Sequence, residues 1–134
     1  LLSYRTAEGY AHTQTDTEDV LQNHKASSYQ RYQGDKLIKR FNAYSYWTLS
    51  KAMDSHNVGR GRTSISAALK LIKARCIIIG IDSDILFPIT EQLFISHHID
   101  DSAMYIVPSI YGHDGFLIEA EAISDIIAGE IDND

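Results

Sequence analysis

Two side chains in this sequence have the types and the spacing to share a proton: Asp84, in Asp82-Ser83-Asp84, and His113, in Tyr111-Gly112-His113-Asp114. An imidazole acts as a general base near neutral pH only when its tautomer and orientation are fixed, and a buried carboxylate on its other ring nitrogen fixes both. Other groupings carry less chemistry. His97-His98 with Asp100-Asp101 has metal-ligating residue types, but adjacent histidines on a helix point about 100° apart and converge poorly on one ion. No metal is expected. Cys76 lies in a run of isoleucines, which supplies none of the polar or cationic neighbours that make a thiolate reactive; it reads as a packed thiol.

The elements around Asp84 and His113 decide whether they meet. Cys76-Ile77-Ile78-Ile79, ended by Gly80, reads as a strand buried on both faces of a parallel sheet. Pro88 suits the first turn of a helix with Ile89 and Leu93 inward. Ala103 to Val107 reads as a second strand, followed by a loop from Pro108 to Gly115 and an amphipathic helix around Ile118 to Ala128. Two strands joined by one helix form a right-handed βαβ unit with both strand C-termini on one edge, where ligand chemistry in open α/β sheets collects. Both candidate residues fall just past a strand's C-terminal end. A single Asp and His after two strands is also a common coincidence, so spacing alone leaves the pair a candidate.

Upstream, Ser64 can cap a helix whose Ile65, Ala68, Leu69 and Ile72 share a face. Gly59-Arg60-Gly61-Arg62 breaks the preceding pattern and reads as a solvated loop rather than a phosphate site. Residues 9 to 25 read as a polar, acidic surface loop leading into a helix, with His12 and His24 in solvent. From Ser27 to Met53 the aromatic residues Tyr29, Tyr32, Phe41, Tyr44, Tyr46 and Trp47 suit two consecutive helices packed as a helical layer, with Tyr46, Leu49 and Met53 on one face. Glu130 to Asp134 reads as a solvated tail.

The composition of the 134 residues, 44% hydrophobic and 22% charged, is that of a folded globular chain. Its longest apolar stretch, Cys76 to Ile81, is far short of the roughly 20 residues a bilayer-spanning helix needs, so no membrane partner is expected. A net charge of −6 argues against a nucleic-acid surface. One cysteine cannot form an internal disulfide, which fits a reducing cytoplasm. The first residues have neither a starting Met nor a signal-peptide pattern, as expected of a chain that begins inside a longer one.

Longer motifs sharpen the reading. The string from Arg31 to Tyr46 (Arg-Tyr-Gln-Gly-Asp-Lys-Leu-Ile-Lys-Arg-Phe-Asn-Ala-Tyr-Ser-Tyr) and the string from Ala52 to Gly61 (Ala-Met-Asp-Ser-His-Asn-Val-Gly-Arg-Gly) resemble the lid and return segment of homoserine O-acetyltransferases. Ser83-Asp84-Ile85-Leu86-Phe87-Pro88 and the string from Tyr111 to Glu119 resemble that family's triad-Asp and triad-His motifs. Asn42 and Tyr44 depart from the family's Arg-Phe-Asp-Ala-Asn-Ser-Tyr, which touches the lid and not the triad. The order Asp before His is that of the α/β-hydrolase triad Ser, Asp, His.

The resemblance implies the C-terminal part of an α/β-hydrolase fold, two parallel strands with helices over residues 59–134, preceded by a mostly helical lid segment over residues 1–58. It implies that Asp84 orients His113, that His113 is the general base, that Asp114 receives the amino group of homoserine, and that Tyr4 lines the active-site tunnel. Acetyl-CoA enters as co-substrate with no further cofactor, and the full-length protein is expected to be a homodimer through its lid helices. No serine here sits in a Gly-x-Ser-x-Gly elbow, so the nucleophile is expected upstream of Leu1. An esterase, an acyltransferase of other donor or acceptor preference, and an inactive truncated remnant are the competing readings. A two-strand sheet has open edges, so the isolated chain is expected to aggregate or stay partly unfolded.

Overall fold

Two strands, β1 (Cys76–Ile81) and β2 (Ser102–Val107), pair in parallel, from Cys76 opposite Ser102 to Ile81 opposite Val107. The structure, a computed structural model, describes residues 2–132. Equal strand lengths in this register bring both C-terminal ends to the same level. Between them runs α5 (Ile89–His98), and beyond them come the short α6 (Gly115–Ile118) and α7 (Ala120–Asp132). The mixed α/β class and the parallel crossover are those expected from the residue pattern.

Helix α5 packs on both strands. Its inward positions are Ile89, Gln92 and Ser96, with Ile99 buried just after it, while Leu93 is exposed, contrary to expectation. The inward face follows steps of three and four residues from Ile89 through Gln92 to Ser96 and Ile99, which turns Leu93 outward. Ser102 anchors the far end by donating to the Ser96 carbonyl at 2.9 Å. Gly80 also differs from expectation, because it lies inside β1 rather than ending it. A Cβ there would stand 2.6 Å from Ile89 Cδ1, so glycine marks the close crossing of α5 over the strand. Leu69, Ile81, Ile99 and Val107 are the buried apolar residues of this unit.

Helix α7 packs on both strands and runs past the expected end. Glu130 is not part of a solvated tail: the Tyr105 hydroxyl donates to it, and Arg75 Nη2 lies 2.5 Å from its carboxylate. The hydrogen bonds from Tyr105 and Arg75 hold the Glu130 carboxyl below its ordinary pKa. Residues 133–134 of that expected tail lie outside the described residues.

The upstream half is helical: α1 (Ala7–Gln14), α2 (Lys25–Arg40), α3 (Ala43–Asp54) and α4 (Ile65–Leu69). Helix α1 replaces the first part of the expected 9–25 loop. Thr6 caps it, its Oγ1 accepting from Gly9 N at 2.9 Å; the cap precedes a run with little apolar contrast, so periodicity does not reveal the helix. His12 and His24 are exposed, as read, though His24 Nδ1 pairs with Asp16 Oδ2 at 2.9 Å. Ser64 caps α4 as expected, accepting from Ala67 N at 3.0 Å. In the Gly59 to Arg62 turn, Arg60 donates to the Ser55 carbonyl and Arg62 to the Val58 carbonyl, so both guanidinium groups brace the loop.

The expected packing of the aromatic layer is not found. Tyr32, Tyr44, Tyr46, Trp47, Leu49 and Met53 are all exposed, and Asn42, the N-cap of α3, bonds Ser45 N at 2.8 Å in the usual way. The helices form as read. Tyr29 meets Tyr10 of α1 edge-on, but the rest of the face stays open among the described residues, because burial requires an opposing surface as well as a periodic pattern.

Candidate active site

The turn after β1 and the loop after β2 are fastened together. Asp82 Oδ1 accepts from Ser109 N at 2.9 Å, while Ser83 Oγ donates to the Ser109 carbonyl at 2.5 Å and accepts from Gly112 N at 3.0 Å. These bonds set the Asp-bearing turn against the His-bearing loop independently of Asp84 and His113 themselves. Next to them Asp84 Oδ2 and His113 Nδ1 stand 2.8 Å apart.

Asp84 is buried, and its other oxygen is also satisfied: Oδ1 accepts from Leu86 N at 2.8 Å and Phe87 N at 3.1 Å. Burial pushes the Asp84 carboxyl up, but the bonds from His113, Phe87 and Leu86 together outweigh it and hold its pKa below the ordinary carboxylate value. An ionised carboxylate locked at Oδ1 can turn only Oδ2 to the imidazole, which accounts for the ring's orientation. Among the described residues, His113 has no second hydrogen-bond partner, so its Nε2 is available for proton transfer. Three aromatic rings flank the imidazole, Tyr4 and Phe87 at 5.2 Å and Phe116 at 5.3 Å between centroids. They limit how far it can turn.

A third piece of chain completes the arrangement. Residues 3–6, leading into α1, lie across the His-bearing loop, where the Thr6 hydroxyl donates to the Ile110 carbonyl and Arg5 Nε meets Asp114 Oδ2 at 2.6 Å. Gly112 makes this crossing possible. It has φ +65°, and a Cβ would stand 3.1 Å from Tyr4 O and 3.2 Å from Thr6 N, both backbone atoms. Gly112→Ala is expected to destabilise the protein by about 1–3 kcal/mol, through the left-handed conformation and the displaced strap. A thermal-unfolding midpoint unchanged from wild type would refute that.

All four residues singled out in the sequence, Asp84, His113, Asp114 and Tyr4, therefore gather at one end of the sheet. Tyr4 also borders a cavity of about 430 Å³ shared with Leu37, Arg40 and Phe41 of the α2 region and Tyr46 of α3. Asp114 is engaged by Arg5, a partner the sequence did not announce. Nor did it announce Ser83 as a brace: its motif position beside Asp84 was visible, its bonds to Ser109 and Gly112 were not. At His97-His98, His98 Nδ1 lies 2.7 Å from the Phe94 carbonyl, and no cluster of three or more potential metal ligands occurs among the described residues.

No family model matches the chain. Curated relatives do. It is 50% identical over 127 residues to a homoserine O-acetyltransferase of Cyclobacterium marinum, covering 95% of this chain and 36% of that protein. It is 43% identical over 129 residues to that of Chlorobaculum tepidum, with the same two coverages, and 46% identical over 101 residues to that of Mycobacterium tuberculosis, covering 75% of this chain and 27% of the relative. The chain thus spans little more than a third of the length of the curated relatives it matches. With 43% to 50% identity across 95% of its own residues, the chain belongs to the homoserine O-acetyltransferase family.

Proposed function

We propose that this chain supplies the general base and its orienting carboxylate to an acyltransferase that moves an acetyl group from acetyl-CoA to the side-chain hydroxyl of homoserine. The observation that carries the reading is the Asp84–His113 bond of 2.8 Å, with the other imidazole nitrogen free among the described residues. The likeness to proteins named homoserine O-acetyltransferase supports homoserine as the acceptor and acetyl as the group transferred. The nucleophilic serine, its oxyanion donors and the arginine for the substrate carboxylate are assigned to sequence beyond these 134 residues.

The reaction is a double displacement. His113 Nε2 takes the proton of the serine hydroxyl as its oxygen attacks the thioester carbonyl; the C–S bond breaks, and the proton passes to the departing thiolate. Homoserine then enters. His113 removes its hydroxyl proton as that oxygen attacks the acyl-serine, and returns the proton to the serine oxygen as the ester bond to the enzyme breaks. Asp84 stays ionised throughout and stabilises the imidazolium. Asp114 takes the ammonium of homoserine, and Tyr4 lines the approach.

The helices within residues of about 7–56 act as a lid in this scheme, since an acyl-enzyme open to water would hydrolyse. The exposed aromatic faces of α2 and α3 suit burial in a homodimer of the complete protein. No helix among the described residues is long and apolar enough to cross a membrane, and we place the reaction in the cytoplasm. The test is CoA release by the complete acyltransferase from acetyl-CoA, with and without homoserine. Release that depends on homoserine and yields O-acetylhomoserine is the expected result. Release indifferent to homoserine would make the protein an esterase on the same scaffold.

A further inference from the structure

The carboxylate assigned to the acceptor's ammonium is already engaged on one side. Arg5 Nε donates to Asp114 Oδ2 at 2.6 Å, and among the described residues Asp114 Oδ1 has no partner. Arg5 is itself held from two further directions: its Nη1 lies 3.3 Å from Thr13 Oγ1 in α1, and its guanidinium carbon 5.4 Å from the centroid of the Tyr29 ring in α2. Both members of the pair are largely shielded, with side chains 19% and 22% exposed. The bond to Asp114 outweighs the effect of burial and raises the Arg5 pKa further, so its charge is permanent. No bond links Arg5 to Asp84 or His113, although Asp114 adjoins His113 in sequence.

We propose that Arg5 is a positioning residue for acceptor recognition: by holding Asp114 through Oδ2 it fixes the carboxylate so that Oδ1 is presented to the ammonium of an amino-acid acceptor. This rests on the reading of Asp114 given above. A charge-assisted bond at 2.6 Å fixes the carboxylate's torsion far better than water would, and Thr13 and Tyr29 fix Arg5 in turn. Because those two belong to the helical segment and Asp114 to the β2 loop, acceptor recognition is tied to the seating of the lid. The donor half-reaction uses Asp84 and His113 and does not pass through this pair.

The test uses the complete acyltransferase with Arg5→Gln, Arg5→Lys and Asp114→Asn. Arg5→Gln is expected to raise the KM for homoserine by about tenfold or more. The burst of CoA from acetyl-CoA without acceptor should stay within about threefold of wild type. Arg5→Lys, which keeps the charge, should recover part of the loss. With 4-hydroxybutanoate, the acceptor lacking the amino group, Arg5→Gln should change KM little. Asp114→Asn raising the homoserine KM while Arg5→Gln does not would overturn the role of Arg5 alone, and Asp114→Asn without effect would overturn the reading of Asp114. A lower homoserine KM in Arg5→Gln would show that Arg5 only dilutes the charge of Asp114. Equal losses in burst and transfer, in both the Gln and Lys variants, would reduce Arg5 to a fold contact.

Discussion

His113→Ala in the complete acyltransferase is expected to lower homoserine-dependent CoA release by about 10⁴-fold or more, the greatest effect of any single substitution in this chain. The magnitude follows from the number of steps that use one nitrogen. In the proposed scheme Nε2 removes two protons and returns two within each turnover, and among the described residues no titratable side chain is hydrogen bonded to His113 except Asp84, which faces the opposite nitrogen. Neither Asp84 nor Asp114 can substitute, since the first is locked through three hydrogen bonds and the second is paired with Arg5. Truncation also removes packing against Tyr4, Phe87 and Phe116, so the unfolding midpoint belongs beside the rate. A folded variant with activity within tenfold of wild type would remove His113 from the chemistry.

Asp84→Asn should cost about 10⁴-fold in kcat for a different reason. Leu86 N and Phe87 N demand an acceptor at Oδ1, so the amide oxygen must take that place and the NH₂ must face His113. An N–H donor there forces Nδ1 to accept, which puts the ring proton on Nε2, where a base must be empty. The acid side of the stability profile should change too. A carboxyl whose folded pKa lies below its ordinary value contributes stability above that ordinary value, about pH 4, and loses it as pH falls through the folded pKa. Wild type should therefore lose stability below about pH 4 more steeply than Asp84→Asn. Parallel profiles, measured as unfolding midpoints between about pH 2 and pH 7, would contradict the assignment.

How far the structure could be foreseen depended on whether the determinants were local. The β-branched run at Cys76 to Ile79, the polar turn after it and the second run at Ala103 to Val107 specify strands and a parallel crossover, and Asp84 and His113 follow because each lies just past a strand end. Gly80 escapes a local reading because a glycine's local meaning is to interrupt, whereas here it makes room for Ile89. Helix α1 depends on the cap at Thr6 more than on its weak apolar pattern. The aromatic faces of α2 and α3 were legible as helices but not in their exposure, since a pattern announces a face and only a partner buries it. Arg5, Ser83 and Gly112 matter through bonds and approaches across distant parts of the chain, and no periodicity encodes those.

The strap over the His-bearing loop joins residues that are among the furthest apart in the chain. Thr6 and Ile110 are separated by 104 positions, and Arg5 and Asp114 by 109. Closing so long a loop forfeits chain entropy before any compensating contact forms, whereas β1, α5 and β2 assemble within a span of about 30 residues. The parallel pair and its crossover helix should therefore form first during refolding, and the strap should dock late. Helical circular dichroism would then return ahead of the site's final geometry, and a refolding chain would pass through an interval in which Asp84 and His113 are already adjacent while Asp114 still waits for Arg5.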